Sequence, residues 1–517
     1  MTTFQHQLLL LQLLTDTVCF TDPLIIIFHF SHAQPTFIKD SLDSHITKAL
    51  KLWQVPGASV AIVKDEKVVH LKGYGFADVA TETPVDENTL FMIGSNTKLF
   101  TATALTMLEQ QKKLSLDDKV TKWIPYFKLN DPLASDAATI RDLLCHRIGF
   151  ETFQGDFTYW ASNLTREEVI KKMAFVKAPY GFRTKWGYCN AAFTTAGEVI
   201  PAVTQTSWED FIRTNILQPL KMNRTQMLAR DLPKASNRAL PYTIIDGKLT
   251  PIELAQIDNL APAGTIASSA KDMVNWVMTQ IDMGKFEGNQ IIPAEAIAAT
   301  RVPHTIVGMD PGEKRNTHFY LYGLGLDIND RGGKIVVSHT GGVDGFLSSV
   351  MIVPEEKLGI VILTNTDQNS FFQDITKEIR DAYLNLPYRG YTYQSLKNNR
   401  QQKLEEKKQL DSLKNLINPQ NKPALPLASY AGAYANELYG DISIVLEKGS
   451  LVIRFSHHPQ LTGKLDALKD NTFLCTYSSP TYGIKTFPFY VKEGKVTGFT
   501  LTVNDFVEFT PYEFVKK

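Results

Sequence analysis

The chain has 517 residues, of which 44% are hydrophobic and 21% are charged, and 54 basic side chains balance 54 acidic ones. This zero net charge excludes a global electrostatic footprint for nucleic acid or an anionic membrane. Mean hydropathy is −0.14, and no uncharged apolar run reaches the roughly 20 residues that span a bilayer. Four cysteines cannot form a disulfide framework in so long a chain. The sequence contains no CxxC pair, the pattern that would indicate a zinc or redox site. At roughly 100–200 residues per domain, the length predicts about two to four domains.

The N-terminal segment, residues 1–34, has two apolar stretches but no Lys or Arg. Ser31 and Ala33 place small residues at the positions that a signal peptidase requires for cleavage after Ala33. The missing positive charge and two aspartates argue against export. The segment is therefore predicted to be either a cleaved signal peptide or a disordered leader. The first alternative predicts a periplasmic or secreted protein, and the second is compatible with the cytoplasm.

Residues 35–390 are predicted to form one large unit of the α/β (α+β) class. Apolar, β-branched runs at 58–63 and 67–71 flank a polar triplet and predict a hairpin. The remaining predicted elements are a helix at 95–111, strands at 334–337, 346–353 and 358–363, and an amphipathic helix at 371–384. Because strands occur at both ends with helices between them, one antiparallel sheet built from the two ends is expected.

The composition changes after residue 390. Residues 391–427 are mostly polar and are predicted to be a charged, partly helical linker. Residues 428–517 are rich in β-forming side chains, with turn signals every eight to twelve residues. This spacing predicts a small barrel or sandwich as a separate C-terminal domain.

The first candidate for chemistry is Ser95, which is followed three residues later by Lys98 at the start of the predicted helix. Positions i and i+3 share one face of a helix, so the hydroxyl and the amine can come within hydrogen-bond distance. A buried lysine has a lowered pKa and can remove the proton of a serine hydroxyl, which is otherwise a poor nucleophile. Ser268 and Lys271 repeat the spacing, so this pattern alone is weak.

Two further segments distinguish between the two Ser-x-x-Lys pairs. Tyr188 and Asn190 form a Tyr-x-Asn pair, and His339-Thr340-Gly341 is followed by Gly342 at the end of a predicted strand. Other Tyr-x-Asn pairs occur only after His339 along the chain. Ser95 with Lys98 therefore begins the one ordered combination of all three patterns.

In these motifs the sequence resembles the serine β-lactamase and penicillin-binding-protein superfamily, with its S-x-x-K, S/Y-x-N and K/H-T-G patterns. It looks most like the class C β-lactamase-related, CubicO-type branch, which includes D-aminopeptidases, D-Ala-D-Ala carboxypeptidases and EstB-type esterases. The C-terminal segment resembles, by position and pattern, the small lipocalin-like domain appended to some of these enzymes. The resemblance implies a β-lactamase/transpeptidase-like antiparallel sheet flanked by helices, and a tail that serves oligomerisation or restricts substrate access.

Carried over to this chain, the resemblance implies that Ser95 is acylated, that Lys98 is its partner base and that Tyr188 passes the proton to the leaving group. Asn190, His339, Thr340, Gly341 and Gly342 would bind substrate, with the backbone N–H groups of Ser95 and Gly342 as the oxyanion hole. Whether Lys98 or Tyr188 is the primary base stays open. His146 is expected to be structural.

The implied function is a serine hydrolase, without cofactor or metal, that cleaves a D-amino-acid peptide or a related small amide or ester. An EstB-type esterase or a β-lactamase is the alternative within the class, and a penicillin-recognising sensor with little turnover is the alternative from another class. The expected partner is a small molecule or short peptide. Because histidine replaces the usual lysine at 339, recognition of a substrate carboxylate is expected to depend on protonation of His339.

Overall fold

The computed structural model describes residues 34–309, 317–418 and 421–517. The predicted cleavage site after Ala33 and the leader before it lie outside these residues. The described chain forms one large antiparallel sheet with helices on both faces and, after it, a closed barrel. The expected α/β (α+β) class, with a helix-flanked sheet and a small all-β barrel, is confirmed.

Nine strands form the large sheet in the described residues, in the order β10-β11-β12-β13-β14-β15-β1-β2-β3. These strands and the small accessory pairs are β1 (Gly57–Lys64), β2 (Lys67–Asp78), β3 (Thr83–Pro84), β4 (Phe91–Met92), β5 (Tyr242–Ile245), β6 (Lys248–Pro251), β7 (Ala267–Ser268), β8 (Lys285–Phe286), β9 (Asn289–Gln290), β10 (Thr305–Met309), β11 (Phe319–Tyr322), β12 (Asp327–Arg331), β13 (Lys334–Val343), β14 (Phe346–Val353) and β15 (Leu358–Thr364). Because β1 pairs with β15, the two ends of the predicted unit meet in one sheet.

The helices cover both faces of this sheet. They are α1 (Leu42–Trp53), α2 (Thr97–Gln110), α3 (Val120–Trp123), α4 (Pro132–Ala137), α5 (Ile140–Leu144), α6 (Asp156–Tyr159), α7 (Arg166–Lys172), α8 (Asn190–Thr204), α9 (Trp208–Ile212), α10 (Ala261–Gly264), α11 (Ala270–Ile281), α12 (Ala294–Thr300), α13 (Phe371–Tyr383) and α14 (Tyr391–Asn415). None of the helices in the described part of the chain has the length and apolar character needed to cross a membrane.

The sheet is buried on both faces because its central strands alternate between two hydrophobic clusters. In β1, Val60 and Ile62 pack with side chains of α1 and α13, whereas Ala61 and Val63 belong to the cluster that includes α2 and α11. Such double burial requires the continuous apolar run seen in this strand. Each buried Val or Ile contributes about 1.5–3 kcal/mol, so the strands beside the candidate site are held firmly.

The predicted hairpin is present, and it is closed by a tight two-residue turn. Asp65 and Glu66 both adopt positive φ, at 51° and 63°, which is the conformation of the two-residue turn that suits twisted antiparallel strands. The strand predicted to end before His339 is longer than expected. It continues to Val343, because pairing with β14 runs without a break to Val343 opposite Phe346. The His-Thr-Gly-Gly segment therefore lies inside a strand.

The polar segment after residue 390 is mainly one helix, α14, of 25 residues. Thr392 and Leu396 are buried near its start, next to α13, whereas the side chains from 397 onward are mostly exposed. The helix thus leaves the sheet domain as a solvated arm.

The C-terminal domain is a closed antiparallel barrel. Its strands are β16 (Gly432–Asn436), β17 (Gly440–Glu447), β18 (Ser450–Phe455), β19 (Thr462–Ala467), β20 (Thr472–Tyr477), β21 (Ile484–Lys492), β22 (Lys495–Leu501) and β23 (Tyr512–Lys516). The barrel does not stand apart from the sheet domain. Phe157 of α6 is fully buried in the hydrophobic cluster of the barrel, where its ring stacks on Tyr439 and His458.

Candidate active site

Ser95 lies in a 3-10 turn, Gly94–Asn96, that leads into α2 and touches β13. Gly94 has a φ of 52°, and a Cβ atom at this position would lie 2.7 Å from the backbone nitrogen of Gly342. Only glycine allows so close an approach with this backbone conformation. The turn therefore places the Ser95 backbone beside Gly342.

Lys98 is fully buried near Ser95, and three oxygen atoms surround its amine. Nζ lies 2.7 Å from Oδ1 of Asn190, 2.8 Å from the carbonyl oxygen of Ala263 and 3.0 Å from Oγ of Ser95. The first two oxygens can only accept, so they take two N–H bonds of the amine. In the neutral amine the remaining position is a lone pair directed at the serine hydroxyl. Burial lowers the pKa of Lys98 to about 7, so the neutral form is populated near neutral pH.

Asn190 is the first residue of α8, and a hydrogen bond to a neighbouring carboxylate fixes its side-chain amide. Its Nδ2 donates to Oδ2 of Asp156 at 2.6 Å, and this contact sets the amide orientation that directs Oδ1 toward Lys98. Asp156 is buried at the start of α6. Burial and, secondarily, the charge of Glu508 raise the pKa of Asp156 well above its ordinary value. A continuous chain of contacts therefore runs from Lys98 through Asn190 to Asp156.

Tyr188 lies on the other side of the serine. Its side chain hydrogen-bonds with Ser95, and burial raises its pKa well above the ordinary value, so the phenol carries its proton at neutral pH. Nζ of Lys98 lies 4.6 Å from the centroid of the tyrosine ring. The ring of His146 lies 4.3 Å from the Tyr188 ring, and Nδ1 of His146 accepts the backbone N–H of Cys189 at 3.0 Å. His146 thus supports the tyrosine segment.

His339 is held in its neutral form, which disfavours the expected link between its protonation and the binding of a substrate carboxylate; that link stays a prediction. Its Nδ1 contacts the carbonyl oxygen of Thr340, so this nitrogen carries the proton, and Nε2 accepts from the Tyr322 hydroxyl at 3.1 Å. Burial, followed by the neighbouring charge of Lys98, lowers the pKa of His339 to about 3. Both ring nitrogens are engaged, and the imidazole stays uncharged at ordinary pH.

The edge of β13 next to the serine is open. Pairing between β12 and β13 ends at Asp327 opposite Ser338, and the following residues from His339 to Val343 pair only with β14 in the described residues. His339, Thr340 and Gly342 line a cavity of about 320 Å³ that also contains Ser95. We call this space the Ser95 cavity. An extended ligand can lie along this free strand edge.

The barrel supplies part of the cavity wall. Phe506 and Val507, from the segment between β22 and β23, line the Ser95 cavity together with Trp160 of the sheet domain. The next residue, Glu508, accepts the backbone N–H groups of Gly155 and Phe157, each at 2.8 Å. The C-terminal domain therefore contacts the same short helix that carries Asp156.

The second Ser-x-x-Lys pair is placed differently. Ser268 is buried in β7, where its hydroxyl lies 2.8 Å from that of Thr225. Lys271 is exposed at the surface. The structure thus brings together Ser95, Lys98, Tyr188 and Asn190 around one cavity with the β13 edge, and leaves the repeated pair apart.

The motif residues are predictable from the sequence, but the residues that surround and support them are not. These residues are Asp156, Tyr322, Asp327, Phe506 and Glu508. An aspartate before a short helix has no diagnostic spacing to Asn190, and the barrel residues lie far along the chain in another domain. Nothing in the local pattern indicates that these residues reach the site.

Comparison with known proteins agrees with this geometry. The family model described as Beta-lactamase matches residues 42–384, and the model described as Domain of unknown function (DUF3471) matches residues 418–516. Unguisins hydrolase ungD from Aspergillus violaceofuscus is 27% identical over 447 residues, which is 80% of this chain and 77% of that protein. Protein flp from Staphylococcus aureus is 28% identical over 330 residues, 63% of each chain, so the match spans less than two thirds of that relative.

Solved structures share the fold at low sequence identity. The octameric penicillin-binding protein homologue from Pyrococcus abyssi superposes with a TM-score of 0.58 at 23% identity, covering 92% of this chain and 99% of its own. A D-stereospecific amidohydrolase from Streptomyces sp. gives a TM-score of 0.52 at 20% identity, covering 66% of this chain and 98% of its own. Because the Beta-lactamase model matches most of the chain, this protein belongs to the beta-lactamase family of serine hydrolases.

Proposed function

We propose that the protein hydrolyses a small amide or ester through an acyl-enzyme on Ser95. The observation that carries the proposal is the set of contacts at Lys98. Two obligate acceptors, from Asn190 and Ala263, hold the amine while its third position meets the serine hydroxyl. A neutral, oriented amine at this place can take the serine proton as the hydroxyl attacks a carbonyl carbon.

Tyr188 would deliver the proton to the leaving group. Its protonated phenol hydrogen-bonds with Ser95 and lies beside Lys98, so it can give its proton to the departing nitrogen or oxygen and regain one from the amine. In the second half of the reaction, the same pair would deprotonate the water that hydrolyses the ester bond to Ser95. Lys98 is the primary base in this scheme, because the tyrosine is held in its protonated form.

The oxyanion would bind to two backbone N–H groups, those of Ser95 and Gly342. The close approach that Gly94 permits brings these two segments together. Fixed backbone donors at such a site stabilise the developing negative charge without reorganisation. Removal of one oxyanion-hole donor from an unrelated serine protease costs about 2.7–4 kcal/mol.

The preferred substrates are D-amino-acid peptides and related small amides, with small esters next and β-lactams last. A structural neighbour described as a D-stereospecific amidohydrolase and a relative named as a hydrolase support an amide substrate. The aromatic side chains that line the Ser95 cavity, among them Trp160 and Trp186, suit an apolar substituent. Because Phe506 and Val507 of the barrel line the Ser95 cavity, we propose that the C-terminal domain restricts the access of substrates to Ser95.

The alternative from another class is a sensor that acylates once and does not turn over. Burst kinetics with a chromogenic ester, together with the intact mass of the protein, separates the two. A hydrolase gives a burst followed by a steady rate and returns to the unmodified mass, whereas a sensor gives a single stoichiometric burst and keeps the added acyl mass.

The matched variants for this test are Ser95→Ala and Ser268→Ala. Only the first should abolish turnover and labelling by a fluorophosphonate, since Ser268 lies apart with an exposed lysine three residues later. Labelling that persists in Ser95→Ala, or that maps to Ser268, would contradict the assignment.

A further inference from the structure

The Ser95 cavity contains a carboxylate that the hydrolytic scheme does not use. Asp327, the first residue of β12, lines this cavity together with Ser95. Within the described ranges its side chain makes no hydrogen bond or ion pair. Burial raises the pKa of Asp327 to about 7, as expected for a carboxylate that lacks a compensating cation.

Asp327 occupies a position that a bound substrate reaches. Strand β12 pairs with β13 only as far as Asp327 opposite Ser338, and the free edge of His339 to Gly342 begins at the next residue of β13. A substrate that pairs with this free edge continues the line of β12. Its end therefore meets the side chain at the start of β12.

The charges around the cavity favour a cation. No lysine or arginine is present among the described residues that line the Ser95 cavity. His339 is neutral, and the amine of Lys98 is surrounded by its three oxygen partners. Among the residues that the structure describes, a substrate carboxylate would find no free positive charge in this cavity and would face Asp327. An organic cation would neutralise Asp327, and the rings of Trp186 and Phe153 provide aromatic faces that attract such a cation.

We propose that Asp327 is a specificity-determining residue that binds a positively charged nitrogen of the substrate. This inference rests on the proposed hydrolase function. The site then prefers cationic amides or esters to neutral isosteres of the same shape, and it disfavours substrates with a carboxylate. The nitrogen can belong to the acyl part, as in a free amino group, or to the leaving group, and the chemistry of recognition is the same.

The test compares kcat/KM for two matched pairs of esters in the full-length protein. The acyl pair consists of p-nitrophenyl esters whose acyl chain ends in trimethylammonium or in tert-butyl. The leaving-group pair consists of butyrylcholine and the ester with tert-butyl in place of its trimethylammonium group. We expect the cationic member of one pair to be favoured about tenfold, and the Asp327→Asn variant to lose that preference, as for close charge pairs in binding sites.

Asp411→Asn, which removes an exposed carboxylate on α14, is the control and should keep the wild-type ratio. The pair that responds identifies the part of the substrate that carries the charge. A cationic-to-neutral ratio that is equal in wild type and Asp327→Asn for both pairs overturns the proposal. A wild-type protein that turns over neither the neutral nor the cationic esters contradicts the hydrolase function instead.

A measurement on the wild-type protein alone covers the case in which Asp327→Asn does not fold. Choline and its tert-butyl isostere are compared as inhibitors of fluorophosphonate labelling at Ser95, together with the two corresponding free acids of the acyl pair. Stronger protection by a cationic member supports the proposal, and equal protection by the cationic and neutral members contradicts it.

Discussion

Glu508 of the barrel and Asp156 of the sheet domain are joined through the backbone of one short helix. Glu508 accepts the N–H groups of Gly155 and Phe157, the residues on either side of Asp156, and Asp156 in turn accepts the amide of Asn190. Because Asn190 Oδ1 accepts from Lys98, the C-terminal domain is connected to Lys98 through three hydrogen-bonded steps. Burial raises the pKa of Glu508 to about 7, so this link is sensitive to charge near neutral pH.

Replacing Glu508 should therefore affect catalysis as well as stability. Glu508→Ala leaves two buried N–H groups without an acceptor, and each such loss costs about 1–3 kcal/mol. We expect a lower Tm and a drop of about tenfold or more in kcat, with KM for a neutral ester changed less. Glu508→Gln keeps one acceptor oxygen, so its Tm and kcat should lie between those of Glu508→Ala and wild type.

Glu513→Gln, on the exposed side of the same barrel, serves as the control for this measurement and should behave as wild type. A Glu508→Ala variant that loses stability but keeps its kcat would show that the contact with α6 is structural only.

The rate should rise with pH through the pKa of Lys98. The base is active as the neutral amine, and burial lowers the pKa of Lys98 to about 7, so the active fraction increases as the pH rises above that value. For a neutral ester, kcat/KM is expected to increase about tenfold from pH 6 to pH 8 and then level off. A pH–rate profile from pH 5 to pH 9 measures this.

Two carboxylates with pKa values of about 7, Asp327 and Glu508, titrate in the same range. The profile is therefore repeated with Asp327→Asn and with Glu508→Gln, and the rise should persist in both. If the increase in kcat/KM disappears in one of these variants, the pH dependence is caused by the carboxylate that was replaced and not by Lys98.

His339 should stay neutral from pH 8 to pH 5, because burial and the nearby Lys98 lower its pKa to about 3. Nitrogen chemical shifts of labelled histidine should show the proton on Nδ1 throughout this range, as the contact with Thr340 requires. Spectra of a His339→Asn variant assign the signal. A titration of this signal near the ordinary histidine value would instead support the pH-dependent recognition of a substrate carboxylate that the sequence predicts for His339.

The two domains should unfold together, because the barrel encloses a side chain of its neighbour. Phe157 is fully buried in the barrel cluster, and truncation of a buried phenylalanine costs about 3–5 kcal/mol. Phe157→Ala should lower the Tm and reduce activity, whereas Phe175→Ala, at a position that is 48% exposed, should have little effect. A chain that ends near residue 390 should be insoluble or inactive.

Separate calorimetric transitions, with the lower one unaffected by Phe157→Ala, would contradict this coupling. An active, soluble truncated protein would show instead that the barrel only restricts access to the cavity.

The sequence by itself determined the local features of the site. Ser95 and Lys98 are three residues apart at the start of a helix, so helical geometry alone brings them together, and the order of the later motifs selects them over Ser268 and Lys271. The alternating apolar residues of β1 and the regular turns of the tail likewise predict the sheet and the barrel, because strand and turn preferences act over a few residues.

Only the tertiary structure decided which groups surround these motifs and what charge they carry. Asp156 and Glu508 are 352 residues apart along the chain, and no spacing rule relates them. The pKa values of Lys98 and His339 depend on burial by several elements at once, so the residue types alone did not predict how far these values are lowered. Within the described part of the chain, the open edge of β13 and the unpaired carboxylate of Asp327 arise where β12 stops pairing, and this register is set by the packing of the whole sheet.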